Sequence, residues 1–583
     1  MITDDVRARI RGHLARLYGE HRADLLAARF HDLLEDSARS GKGAADGPAE
    51  LFGGTDVVLI AYGDQVHEPG KPPLATLRRF LGEHVRGRVS GLHLLPHYPA
   101  TSDDGFAVAD FSTVDPALGD WADVEDLAAD YRLMLDAVLN HTSASHPWFT
   151  GWLAEDPRYD DFYIALDPET DLSSVVRPRT TPLLTRFESA QGPRWVWTTF
   201  SADQVDLNYG NPAVLLAVTR ELLRYVGHGA RMLRLDAVAF LWKEPGTSCI
   251  HLPQTHEIIR LWRTVLDVVA PGTLIVTETN VPHRENVTYF GTGDDEAHLV
   301  YQFALPPLTL AAFQSGSASK LSAWAAELTT PSAQTSFLNF LASHDGIGLR
   351  PVEGILSESE VEELCQAVLR NGGRVSYRTR EDGGRSPYEL NSVYLDALAG
   401  EGPEPQERQV DRFLAAHSIL LALAGVPLLY FHSLFGSRNW SEGAEREGRA
   451  RVVNRQRFVR SDLESELADP GSLRRQVLDR MLERIALRTT EPAFHPSSGQ
   501  SVIEGGEAFL ALLRTPVDGR PAVLCVHDVS GRPGRFRAPL PDVGWAGVTL
   551  EDLVDGSAHE IGPDGEVHVD VPAYGVRWLK PRT

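Results

Sequence analysis

The residues with the most chemical potential in this 583-residue chain fall into four short clusters: Asn140-His141, Arg234-Leu235-Asp236, Glu278 and His344-Asp345. Each closes a short apolar run, in VLNH, MLRLD, LIVTE and FLASHD. Two carboxylates flanking one bond are what cleavage of a glycosidic bond requires, one ionised for attack and one protonated to release the leaving group. Arg234 stands two residues before Asp236, so strand alternation sends both side chains to the same side and a cation favours the ionised form. Asp236 is therefore the candidate nucleophile. Glu278 follows Leu274, Ile275 and Val276, an apolar setting that raises a carboxyl pKa and suits an acid/base. Asp345, with His344, can grip sugar hydroxyls and hold them harder as the ring flattens towards its oxocarbenium-like transition state. A lone NH, RxD or HD is usually structural; four of them in order, each at a run's carboxyl end, read as one site.

Such a site needs elements that aim all four clusters at one face. From residue 57 onward short apolar runs alternate with longer amphipathic segments: VVLIAY, GLHLLP, LMLDAVLN, ARMLRLDAV, TLIVTE, LVYQFA, SFLNFLAS and VPLLYF. Eight buried-type strands predict a (β/α)8 barrel, whose βα loops converge at the strand carboxyl ends. Two gaps exceed a single crossover helix, about 142–215 after the third strand and 346–405 after the seventh. Both leave from the site end and are expected to be lids shaping the pocket. Residues 1–55 predict a helical extension, with Ile10, Leu14 and Leu17 at helical spacing, ended by a Gly/Pro-rich break. The barrel is expected over 56–489. Over 490–583, alternating runs split by Gly, Pro and Asp predict a small antiparallel β-domain.

Composition narrows the partners. Apolar residues at 43% and charged residues at 23% are ordinary for a globular protein. Lys+Arg 56 against Asp+Glu 80, a net charge of −24, argues against nucleic acid or an anionic membrane as partner. Cys249, Cys365 and Cys525 have neither metal nor redox spacing, and three scattered cysteines suit a reducing compartment. With no apolar leader and no run of about 18 apolar residues, the expected location is the cytoplasm. The expected partners are small molecules, with room for a homodimer.

The set of clusters resembles the α-amylase superfamily, glycoside hydrolase family 13, and QVDLN (204–208) resembles that family's extra short motif. The resemblance covers about 55–583. It implies the three carboxylate roles above and a sugar held by Asp103, His141, Arg234, His344 and Asp345. Within the family, KEPGTSC (243–249), FALPPL (303–308), SHDGIG (343–348), GVPLLYF (425–431) and VVNRQ (452–456) are similar to the sucrose phosphorylase subgroup. Arg455 then matches an arginine at the sugar site, and SDDGF (102–106) supplies Asp103 and an aromatic platform, Phe106. Enzymes of this subgroup move a glucosyl group between an acceptor hydroxyl and phosphate through a covalent glucosyl-enzyme, releasing α-glucose 1-phosphate. RPRT (177–180) resembles a phosphorylase loop and makes Arg179 a phosphate-contact candidate.

The acceptor is read from departures from that subgroup. RSPYELNSVYL (385–395) stands where sucrose phosphorylases carry LDLYQVNSTYY, so Arg385, Ser386 and Glu389 replace Leu, Asp and Gln around the retained Tyr388. Asn280 replaces a histidine two residues after the acid/base. These changes remove fructose contacts and add a cation, and guanidinium binds carboxylate bidentately. TETNVPHREN, SLFGSRNW (433–440) and the helical extension together resemble glucosylglycerate phosphorylases, which implies reversible phosphorolysis of 2-O-α-glucosyl-D-glycerate. A phosphorylated acceptor, as in sucrose 6′-phosphate phosphorylases, or fructose itself is the alternative. A plain glucosidase or transglucosidase would use the same carboxylates, and a non-catalytic barrel would be expected to lack one of them. Asn140 matches an asparagine that binds calcium in many amylases, but the subgroup does without it and no calcium-type loop is present; the expectation is no metal and no cofactor.

Overall fold

The computed structural model describes residues 3–39, 50–379, 384–540 and 544–582. Eight parallel strands close into a barrel: β1 Val58–Ala61, β2 Gly91–Leu94, β3 Arg132–Val138, β4 Ala230–Asp236, β5 Leu274–Thr277, β6 Leu299–Tyr301, β7 Ser336–Asn339 and β8 Val426–Tyr430. Each pairs with its sequence neighbours and β8 returns to β1. They are the eight runs expected, and their Val, Ile and Leu content follows from burial on both faces, inside the barrel and under the helices.

Register decides what meets inside. Arg234 on β4 is the direct partner of Asp136 on β3 and of Val276 on β5, so the Arg234 and Asp136 side chains share the interior face. β4 ends at Asp236, Glu278 follows β5 directly, and His344-Asp345 lies just beyond β7. All the clusters therefore emerge at one rim.

Two long excursions cover that rim. After β3 come an antiparallel pair, His141–Ser143 with Gln204–Asp206, and a small sheet of Ala165–Leu166, Leu184–Ser189 and Gly192–Trp197. The helix Pro212–Gly227 then returns the chain to β4, so the insertion read as ending at 215 overlaps its start. After β7, Ile347–Gly348 pairs with a hairpin of Arg374–Thr379 and Arg385–Asn391.

Helices α1 (Asp4–Tyr18) and α2 (Glu20–Arg39) form the amino-terminal extension. The Thr3 side chain caps α1, and Ile10, Leu14 and Leu17 are buried. His13 and Arg16 meet Glu257 of the helix after β4 at 2.6 and 2.5 Å, which ties the extension to the barrel exterior. The carboxyl-terminal region forms a six-stranded antiparallel sheet with a separate two-stranded ribbon. No helix among the described residues is long and apolar enough to cross a membrane.

Candidate active site

The pocket floor is organised around Arg234, which is 1% exposed. Its Nη1 donates to Asp136 at 2.6 Å and to Asp236 at 2.7 Å, while Nη2 lies 4.0 Å from Glu278 and 3.9 Å from Asp345. Three carboxylates that are separate in sequence thus surround one guanidinium, with a fourth beneath. Their settings differ. Burial pushes Glu278 up to about 7, Arg234 opposing and Asp236 and Asp345 adding to the rise. Burial also lifts Asp236 above the usual carboxylate value, against the pull of Arg234. Burial acts the same way on Asp345, but Arg451, His344 and Arg234 overcome it and hold Asp345 far below the usual range. Ala237 adopts a left-handed conformation, φ 49°, and its N–H donates to Glu278 Oε2 at 3.0 Å. Such strain in a non-glycine residue persists only where its surroundings enforce it; here it links the residue after Asp236 to the neighbouring carboxylate.

The candidate sugar residues form the adjoining wall. Phe106 stacks on His344 with centroids 4.9 Å apart and 3° between planes, and burial holds the His344 imidazole neutral, well below its usual pKa. His141 Nε2 donates to the Phe106 carbonyl at 2.9 Å. Asp103, Phe106, His141, Asp236, Glu278, His344 and Asp345 all line one pocket. Arg234 and Arg455 stand behind this lining. Arg455 donates to Asp104 at 2.5 Å and to the His344 carbonyl at 2.7 Å.

Several functional groups lay outside the sequence reading. Asp136 is fully buried between His93 at 2.8 Å and Arg234; burial would raise it, but His93 and Arg234 hold it down to about 2. Its signal was a carboxylate inside an otherwise apolar run, and that of His93 was an imidazole inside GLHLLP. Arg451, four residues before Arg455, grips Glu389 at 2.8 and 3.1 Å and Asp345 at 2.5 Å. Gln204, opening QVDLN, reaches Asp103 at 3.4 Å. Arg350, just past SHDGIG, also lines the pocket.

Asn280, Tyr388 and Glu389 also line the pocket, and on its lid side the Arg179 guanidinium lies over the Tyr388 ring at 5.7 Å. Arg385 does not join them. It is exposed at the start of its strand, paired with Thr379 at the far end of the hairpin. Four residues of extended chain put it about 13 Å along the strand from Glu389. The expected acceptor cation is thus corrected: matching Arg385 to a subgroup leucine located it in the sequence, but hairpin register carries it away from the pocket.

The asparagine tied to calcium in amylases is occupied by the chain itself. Lys243 Nζ donates to Asn140 Oδ1 at 2.5 Å and lies 2.7 Å from Asp206. Asp206 also accepts from Thr199 N and Oγ1 at 2.7 Å each and from Asn140 Nδ2 at 2.9 Å. A metal ion there would have to displace a buried ammonium. Among the described residues, the groupings able to hold a metal, Glu83-His84-Glu464 and Asp564-Glu566-His568, contain no pocket residue.

The chain is similar to known proteins along most of its length. Residues 88–349 match the α-amylase catalytic domain. The chain is 50% identical over 533 residues to a glucosylglycerate phosphorylase of Allomeiothermus silvanus, covering 91% of this chain and 94% of that one. It is 48% identical over 466 residues to the glucosylglycerate phosphorylase of Escherichia coli, covering 80% and 83%. The crystal structure of a sucrose 6F-phosphate phosphorylase from Thermoanaerobacter thermosaccharolyticum superposes with a TM-score of 0.70 at 24% identity, over 84% of this chain and 96% of that one, a likeness of fold. The chain therefore belongs to the α-amylase superfamily, glycoside hydrolase family 13, and within it to the family of glucoside phosphorylases that includes these two relatives.

Proposed function

We propose that this protein is a retaining glucoside phosphorylase that interconverts 2-O-α-glucosyl-D-glycerate and phosphate with α-glucose 1-phosphate and D-glycerate. The observation that carries the chemistry is the gathering of Asp236, Glu278 and Asp345 around Arg234. The choice of acceptor is supported by the likeness to glucosylglycerate phosphorylases along nearly the whole chain.

In the first half-reaction an Asp236 oxygen attacks the anomeric carbon as its bond to glycerate O2 breaks, and the Glu278 proton passes to that oxygen. Glycerate leaves, and the sugar is held as an ester on Asp236. Asp345, kept ionised, strengthens its hold on the ring hydroxyls as positive charge develops. In the second half-reaction a phosphate oxygen attacks the same carbon and the ester bond breaks, while Glu278 accepts the phosphate's proton. Two inversions give net retention. In this reading Arg179, which lines the same pocket, holds the phosphate. The protein is expected to act in the cytoplasm.

The test is glucose 1-phosphate release from 2-O-α-glucosylglycerate with and without phosphate. Strict phosphate dependence is expected; free glucose appearing at the same rate without phosphate would mean hydrolysis.

A further inference from the structure

Two arginines of the pocket have no carboxylate partner among the described residues, Arg179 and Arg350. Arg451, by contrast, is fully engaged by Asp345 and Glu389. Arg350 opens the short helical turn Arg350–Val352, two residues after the Gly348 that pairs with Glu389. Its Nε is buried and has no hydrogen-bond partner. Asn280 Oδ1 is also buried without a partner. The Asn280 amide packs so tightly on Gly348 that a Cβ there would come within 2.4 Å of that oxygen. Asn280 and the Arg350 loop therefore touch, and both residues line the pocket with Glu278.

A guanidinium at a pocket wall with no carboxylate of the chain to neutralise it favours an anionic group on the ligand. Glycerate, joined to glucose through O2, keeps a free carboxylate that accepts from such a cation. A planar guanidinium suits the planar carboxylate. We infer that Arg350, standing beside Asn280 in the pocket wall, is the specificity-determining residue that selects a carboxylate-bearing acceptor by taking its carboxylate. This rests on the acceptor proposed above. It places acceptor recognition in the loop after β7 and leaves Arg179, from the opposite lid, for phosphate.

The experiment uses full-length wild type, Arg350→Gln and Arg350→Lys. Three activities are read: exchange of labelled phosphate with α-glucose 1-phosphate in the absence of acceptor, transfer to D-glycerate, and transfer to the neutral acceptors glycerol and water. For Arg350→Gln, kcat/KM for glycerate is expected to fall roughly 30- to 300-fold, mostly through KM, as befits a lost charge-assisted contact. Phosphate exchange and neutral-acceptor transfer should stay within about threefold, and Arg350→Lys should recover part of the loss. Equal losses on glycerate and glycerol, an unchanged preference for glycerate, or a comparable collapse of phosphate exchange would each overturn the assignment. If wild type exchanges phosphate but makes no product from glycerate, it is the proposed acceptor that fails, and this shows before any variant is compared.

Discussion

On the pocket floor the Arg234 guanidinium has Asp136 at 2.6 Å, Asp236 at 2.7 Å, Asp345 at 3.9 Å and Glu278 at 4.0 Å. At the mouth, Arg179 lies over the Tyr388 ring at 5.7 Å, and neither it nor Arg350 has a carboxylate partner among the described residues. The difference separates two uses of the same side chain. A paired, buried cation sets the protonation states of its neighbours before substrate arrives. An unpaired one at a lined mouth is available to the charge of a ligand. The reaction needs both, since the glucosyl site stays constant through both half-reactions while phosphate and glycerate take turns beside it.

The floor is where substitution should do most damage. Asp236→Asn is expected to lower phosphorolysis by at least about 10⁴-fold, as loss of a nucleophile does; retained activity in single-turnover assays would move that role elsewhere. Glu278→Gln should cost about 10²–10⁴-fold with glucosylglycerate but spare a substrate whose leaving group needs no proton, such as α-glucosyl fluoride. Because Glu278 must be protonated to act on glucosylglycerate and burial holds it at about 7, wild-type kcat/KM should fall as pH rises through about 7. On the acid side it should fall as Asp236 takes up a proton. A basic limb that survives in Glu278→Gln would assign it to another group.

Lys243 brings the floor's logic of paired charge to the barrel rim. Lys243→Met leaves the buried Asp206 without its cation, which should cost about 3–5 kcal/mol of stability by urea unfolding. Wild-type activity should be indifferent to EDTA; a chelator-sensitive enzyme would mean that a metal, not Lys243, serves Asn140. At the mouth the expected effects are smaller and ligand-specific. Arg179→Ala should raise KM for phosphate about tenfold with little change in stability, and an equal rise for the glucoside would mark it as a general lid residue. Arg385→Ala should alter every acceptor's rate by no more than about twofold. A selective loss on glycerate would restore Arg385 to the acceptor site and blur the contrast between floor and mouth.

The floor was legible because period-two alternation and strand ends carry enough information to aim side chains. Arg234 and Asp236 share parity, and Glu278 and Asp345 follow apolar runs that could only be buried strands. Asp136 and His93 were harder to see, because a polar residue inside such a run gains its meaning from the strand beside it. Arg451 and Lys243 were invisible for a related reason: their partners, Glu389 and Asp206, are 62 and 37 residues away along the chain, and only lid packing brings them together.

What the chain determined alone was the barrel, its site face and the carboxylates that would do the chemistry, since local periodicity and burial dictate strands and a barrel's connectivity turns their ends one way. What tertiary structure decided was the placement of charge around them. Register put Asp136 under Arg234, hairpin length carried Arg385 out to solvent, and the loop after β7 brought Arg350 and Asn280 to the same wall. Such pairings depend on long-range contacts whose geometry no local pattern encodes, and in this protein they are the contacts proposed to choose the acceptor.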